Sequence, residues 1–275
     1  MSEKEREPLL MCVTGRKGVG KTYTTTKMLY DYIKPNPRTG KKGRKVLIYD
    51  VNMEYTQFKT IGVKDIKRFA QSEKPQVRRV LPVDEHGNVL KIDEMVDILN
   101  IILQDFRGGL LLLEDINRYM LQAKTQDIIG VITTCRHRDL DIVCHYQSLS
   151  ALDPRMWQNS NYIRFHSQMD DIERYKQRIP NFQMFKIAQY LVEYQYYKKK
   201  NPRFYCFVAN DDNFITGAFS PADFKYACIE WLKKNDRRAI RETKVRFGKG
   251  VDAETKAINF LCDELRGKYF RGTLK

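Results

Sequence analysis

Along the first two thirds of the chain, short continuous apolar runs alternate with segments of helical period. The run from Pro8 to Val13 ends in Thr-Gly and predicts a buried strand feeding a turn. From Lys21 to Ile33 the pattern is helical, and Pro35 and Pro37 stop it. VLIYDV, Val46 to Val51, predicts a second buried strand with Asp50 at its carboxyl end. Helical period returns from Ile92 to Phe106, Gly108-Gly109 breaks it, and LLLLED from Leu110 to Asp115 predicts a third strand ending in two carboxylates. A helix over Gln122 to Cys135 leads to a fourth strand, Asp141 to Gln147, and a fifth follows at Tyr162 to His166. Strands alternating with helices predict an α/β fold: a mostly parallel sheet flanked by helices, with ligands at the strand carboxyl ends.

Beyond residue 166 the pattern changes. Two helical stretches, Asp170 to Arg178 and Phe182 to Lys198, precede FYCFVA and NFITGAF, which flank Asn210-Asp211-Asp212 as a β-hairpin would. Helices over Pro221 to Lys234 and Asp252 to Lys268 close the chain, and no internal repeat is visible. The organisation expected is a main α/β domain over residues 1–220 and a basic helical C-terminal extension over 221–275.

A chain of 275 residues can bury a sizeable core. No apolar stretch approaches the roughly 18 residues a membrane span needs, and MSEKEREPLL lacks the apolar segment of a secretory signal. The expectation is therefore no membrane span and a cytoplasmic location. Six cysteines without a C-x-x-C pair are expected to be reduced and structural. Cys135, His137, Cys144 and His145 are metal-type ligands, but their spacing matches no zinc pattern. The formal charge of +15 changes the picture more, because a surplus of that size attracts polyanions, nucleic acid first. Two segments concentrate it. Lys34 to Lys45 holds six basic residues and no acidic one, and Lys233 to Lys275 holds 13 Lys or Arg against 6 Asp or Glu. The stretch Lys233 to Gly250 is dense enough to contact a DNA backbone without reading bases; its bland alternative is a solvated linker. Tyr190, Tyr194 and Tyr197 recur at helical spacing, which suits a packing face better than base stacking.

GRKGVGKT, Gly15 to Thr22, fits G-x-x-x-x-G-K-[ST] and lies between a predicted strand and a predicted helix, as a P-loop requires. Backbone N–H groups of Gly15, Arg16, Lys17, Gly18, Val19, Gly20 and on to Tyr23 would wrap the phosphates of ATP. Lys21 would reach the β and γ oxygens, and the Thr22 hydroxyl would ligate Mg²⁺. A second acidic group belongs near the Mg²⁺ shell, expected at the end of a strand adjacent to the P-loop strand, and Glu114 and Asp115 supply it. In the usual order Asp precedes Glu, so the division between metal shell and water activation is open here. A GTP-dependent switch should show N-K-x-D, which is missing, and DFRG at Asp105 to Gly108 precedes a strand instead of ending one. A small-molecule kinase would need a lid with phosphate-clamping arginines and no basic tail. A non-catalytic assembly protein that only binds ATP stays open because of the reversed acidic pair.

With these segments the chain resembles the FtsK-HerA superfamily of DNA-pumping ATPases, with their RecA/ASCE-like sheet, and most of all the viral genome-packaging branch. YDVNMEY, Tyr49 to Tyr55, looks like the family's strand-end Asp followed by Glu-Tyr, LLLLED like its Walker B, and HYQSLSALDP, His145 to Pro154, like its sensor strand; the likeness covers Leu9 to His166. The resemblance implies that Gln147 senses the γ-phosphate and that Glu54 assists near the water or metal. It also implies a homo-oligomeric ring, expected to be a hexamer, in which an Arg reaches the neighbour's nucleotide. Arg136 and Arg138 stand where such a finger would be, with Arg118 and Arg155 as competitors. DNA bound through its backbone phosphates and a capsid vertex protein are the implied partners, and the implied place is the host cytoplasm or the virion. DNA-transfer ATPases of cells and plasmids would look much alike, as would the assembly ATPases of filamentous phages, which usually carry a membrane span.

Overall fold

The computed structural model describes residues 7–38, 40–118, 125–134 and 139–273. The chain forms two compact units: Met1–Val13, Gly20–Gln147 and Ala151–Ser160 make the first, and Thr14–Val19, Ser148–Ser150 and Asn161–Lys275 the second. No helix among the described residues is long and apolar enough to cross a membrane.

The first unit is the predicted α/β body. Its strands are β1 (Leu10–Thr14), β2 (Lys45–Tyr49), β3 (Val77–Val80), β4 (Gly109–Leu113) and β5 (Leu140–Tyr146), in the order β3-β2-β4-β5-β1. The pairs β2/β3, β2/β4 and β4/β5 are parallel. Helices α1 (Lys21–Ile33), α2 (Ile66–Gln71), α3 (Ile92–Asp105), α4 (Thr125–Thr133) and α5 (Pro154–Asn159) connect and follow them. Every residue of β4 and of β5 is buried; β4 therefore appears as an unbroken apolar run, while β5 buries Asp141 and His145 among its apolar residues. One expectation is overturned: the LLLLED strand does not adjoin the P-loop strand, because β5 lies between β4 and β1. β5, as fully buried as β4, takes the position between them, where both of its edges are paired. The register still gathers the chemistry. Tyr49 pairs with Leu113, and Leu113 with Cys144, so Asp50 and Glu114, each just past its strand, stand level with His145 of β5.

Strand β3 and helix α2 were not expected. In VRRV the two arginines hide the apolar ends of an edge strand, and six residues are too few to show a helical period.

The second unit carries β6 (Tyr162–His166), β7 (Tyr205–Ala209), β8 (Phe214–Gly217) and β9 (Phe270–Thr273), in that order. β7 and β8 are the antiparallel hairpin the sequence indicated; β8 and β9 run parallel. α6 (Phe182–Glu193) runs on into a single π turn, Tyr194–Lys198, and packs on α7 (Pro221–Asn235). Of the three tyrosines, Tyr190 is buried and Tyr194 stacks on Tyr226 at 4.0 Å between ring centroids, so the helix packs with them; Tyr197 is exposed. The basic stretch is an ordered helix, α8 (Arg237–Lys244), followed by α9 (Ala253–Tyr269). The Asp236 carboxylate caps α8 by accepting from Ala239 N–H at 3.2 Å, and Ile240 and Thr243 are its buried face. The five described cysteines are free and buried.

Candidate functional site

Helix α1 starts at Gly20, whose φ of 83° is left-handed and natural to glycine. No side chain caps this end, and the first turn holds no acidic residue. The leading N–H groups and the positive end of the helix dipole therefore favour an anion, as the motif predicts. The preceding residues Thr14–Val19 are held by the second unit. Arg16 N–H donates to the Ser167 carbonyl at 2.9 Å, the Arg16 guanidinium lies 4.3 Å from the Tyr196 ring centroid, and Gln168 Nε2 donates to Thr14 Oγ1 at 3.0 Å. Gly15, at φ 152°, admits no side chain: a Cβ would stand 2.6 Å from His166 Cβ.

In the first unit, the hydroxyl of Thr22, one residue past Lys21, donates to Glu54 Oε2 at 2.6 Å. Glu54 is delivered by a turn built on Asp50, which is fully buried. The Asp50 carboxylate accepts from Glu54 N–H at 2.9 Å and Tyr55 N–H at 3.1 Å, and Arg79 of β3 pairs with it at 3.0 Å. The adjoining oxygens of Thr22 and Glu54 are hard donors that suit Mg²⁺. Among the described residues no group of three or more His, Cys, Asp or Glu side chains could hold a metal ion alone.

Glu114 and Asp115 part company. Glu114 is buried; Tyr55 Oη donates to its Oε2 at 3.2 Å, and His145 Nδ1 lies 2.8 Å from the same oxygen. Burial pushes the Glu114 carboxyl up, but the charge and contact of His145, the Tyr55 hydroxyl and the Lys21 charge outweigh it and hold it below the usual range. His145 Nε2 stands 2.8 Å from Thr25 Oγ1 on α1. Asp115 is half-buried with a left-handed φ of 44°, and it accepts from Gln147 Nε2 at 3.0 Å. Thus Thr22 meets Glu54, and Asp115 meets Gln147.

Arg118 is tied within the chain to the Val51 carbonyl at 3.3 Å and Asn52 Oδ1 at 3.2 Å, and Arg155 to Asp153 at 3.4 Å. Arg136 and Arg138 lie outside the described residues, as do Cys135 and His137. Tyr23 is exposed. Sequence reasoning passed over Thr25 and Arg79, quoted Tyr55 only as part of a family motif, and weighed His145 only as a metal-type ligand and as the first residue of the sensor-strand segment. Their one local sign was polarity beside strand ends; their partners lie 120, 59 and 29 residues away.

The model of the family described as zonular occludens toxin (Zot) matches residues 9–205 of the chain. No curated protein matches it. Among solved structures, the chain is similar to the genome packaging NTPase B204 from Sulfolobus turreted icosahedral virus 2. In its sulfate complex the identity is 16% and the TM-score 0.52, over 76% of this chain and 94% of that one. In its ATP-gammaS complex the identity is 14% and the TM-score 0.50, over 77% and 96%. B204 described as the DNA-packaging ATPase from Sulfolobus turreted icosahedral virus gives 14% and 0.50, over 76% and 97%. At these identities the likeness is one of fold. The chain belongs to the Zot family, and its fold is shared with the genome packaging NTPase B204.

Proposed function

We propose that this protein is an Mg²⁺-dependent ATPase that moves DNA, packaging a viral genome into a preformed capsid. The observation that carries the reading is the pairing of polar side chains within the first unit: Thr22 of α1 with Glu54, and Asp115 with Gln147. Lys21 binds the β and γ oxygens, and Thr22 with Glu54 holds the metal, which would neutralise phosphate charge. Glu114, buried beside them, adds a fixed negative charge to the metal shell. Asp115 takes the proton of the attacking water as its oxygen bonds to the γ-phosphorus and ADP leaves; Gln147 orients Asp115 and senses the γ-phosphate. On this reading the buried Glu114 takes the metal side and the more open Asp115 the water side.

The reading extends to a ring, a hexamer by the family's habit, with Arg136 or Arg138 reaching the neighbour's nucleotide. Residues 1–220 form the motor part, and 221–275 the basic extension that meets DNA. Arg237, Arg238 and Arg241 on the exposed face of α8, with Lys233 before them, are the phosphate contacts. A capsid vertex protein would dock the ring in the host cytoplasm or on the virion. ATP hydrolysis by the purified protein, alone and with duplex or single-stranded DNA, tests this beside Lys21→Ala. DNA-stimulated turnover that vanishes in the variant is the expected result.

One second reading has an observation behind it. Asp115 is a methylene shorter than the usual glutamate, while Glu114 is engaged by His145 and Tyr55. A protein that binds Mg-ATP to assemble, without DNA-responsive turnover, would show this too, and the same assay separates the two.

A further inference from the structure

We infer that His145 is a positioning residue of the hydrolytic site, fixing the Glu114 carboxylate and the second turn of α1 to one another through its two ring nitrogens. The inference rests on the ATPase reading above and adds a residue with no place in that machinery. His145 is 1% exposed. It sits on β5 level with Glu114, because Leu113 of β4 and Cys144 of β5 are in register. Nδ1 meets Glu114 Oε2 at 2.8 Å, and Nε2 meets Thr25 Oγ1 at 2.8 Å. Thr25 lies three residues past Thr22 on the same helix, so the ring joins the helix that carries the nucleotide ligands to the strand end that carries the acidic pair. An ionised carboxylate only accepts, so a hydrogen bond at this contact requires a proton on Nδ1, while Nε2 and the Thr25 hydroxyl form the ring's other polar contact.

A buried polar trio that merely filled the core would not need to face both elements of the site. With the ring removed, the Glu114 carboxylate keeps the Tyr55 hydroxyl at 3.2 Å as a donor but loses the contact on its other flank and can turn. Partners of this kind, one step behind the reacting groups, commonly change activity about 10–100-fold. The loss should fall on kcat, because the phosphate-wrapping backbone does not involve His145.

The test compares His145→Ala, His145→Asn and His145→Gln in the full chain, with Lys21→Ala as the blank. Wild-type turnover that vanishes in Lys21→Ala upholds the ATPase reading whatever His145 does. His145→Ala is expected to lower kcat about 10–100-fold while KM for ATP and Kd for ATP-gammaS change less than about threefold. The Asn amide falls where Nδ1 does and should restore most of kcat; the Gln amide reaches the Nε2 position and should restore less. An unchanged kcat in His145→Ala, or equal loss in all three variants following their melting temperatures, overturns the inference. Should the Ala variant fail to fold, ¹⁵N NMR of the nucleotide-free wild type decides. A proton on Nδ1, with an Nε2 resonance that moves in Thr25→Val, supports the inference, and an Nδ1 without a proton or an unmoved Nε2 resonance overturns it.

Discussion

At Asp115 the backbone turns left-handed just past a strand, which costs most side chains of order 1 kcal/mol and an aspartate less. The turn separates two consecutive carboxylates, leaving Glu114 buried on His145 and Asp115 on Gln147. Two substitutions should therefore behave differently. Asp115→Asn keeps the tolerance for this conformation and removes only the charge; turnover should fall about 100-fold or more, with unfolding free energy within about 0.5 kcal/mol of wild type. Glu114→Gln leaves His145 beside a neutral amide in the core and should cost about 1–3 kcal/mol in urea unfolding as well as activity. Equal stability losses would contradict the assignment of the two roles. That a carboxylate pair ends this strand is legible in LLLLED. Which member is buried is not, because the deciding contacts come from Tyr55 and His145, far off in sequence.

Elements were legible in proportion to their periodicity. α1 and β6 fall on Lys21–Ile33 and Tyr162–His166 as expected, because apolar spacing and proline stops mark them. β3 was hidden by its arginines, yet Arg79 is what neutralises the buried Asp50 behind Glu54. α6 conceals a similar device. Lys186, 4% exposed, bonds to Asp171 and, at 3.1 Å, to Gln189 Oε1, with Glu173 at 3.9 Å. Burial raises the Asp171 carboxyl, but the Lys186 hydrogen bond, the Glu173 N–H and the charges of Lys186 and Arg174 hold it below the usual range. A depressed carboxylate contributes stability that is full above its unfolded value, near about 4, and is lost as pH falls through the lower folded value. Asp171→Asn should thus flatten the acid limb of melting temperature against pH below about pH 4. At neutral pH it should cost about 1–3 kcal/mol, less than a fully buried pair because Asp171 is more than half exposed and Glu173 stands by. A parallel acid limb in the variant would place the titration elsewhere.

For the whole molecule, the surplus of +15 was the plainest signal, and it pointed to a polyanion without saying where one binds. α8 narrows it: Asp236 caps the helix, Ile240 anchors it, and Arg237, Arg238 and Arg241 stay exposed, Arg238 sharing its charge with Glu242 at 2.6 Å. Replacing all three by Gln should weaken duplex binding similarly for any sequence and flatten the slope of log affinity against log salt by about 2–3. An unaltered slope would move the DNA contact to another surface. The mapping of Thr14–Val19 to the second unit had no local sign, since it depends on Ser167, Gln168 and Tyr196. The bare start of α1 at Gly20 carries a last consequence. A helix end that its own side chains leave uncapped is completed by whatever anion settles there, so the cell's nucleotide pool enters the folding equilibrium by mass action. On the proposed reading, ATP is a folding partner as well as a substrate, and depleting it should lower the protein's stability together with its turnover.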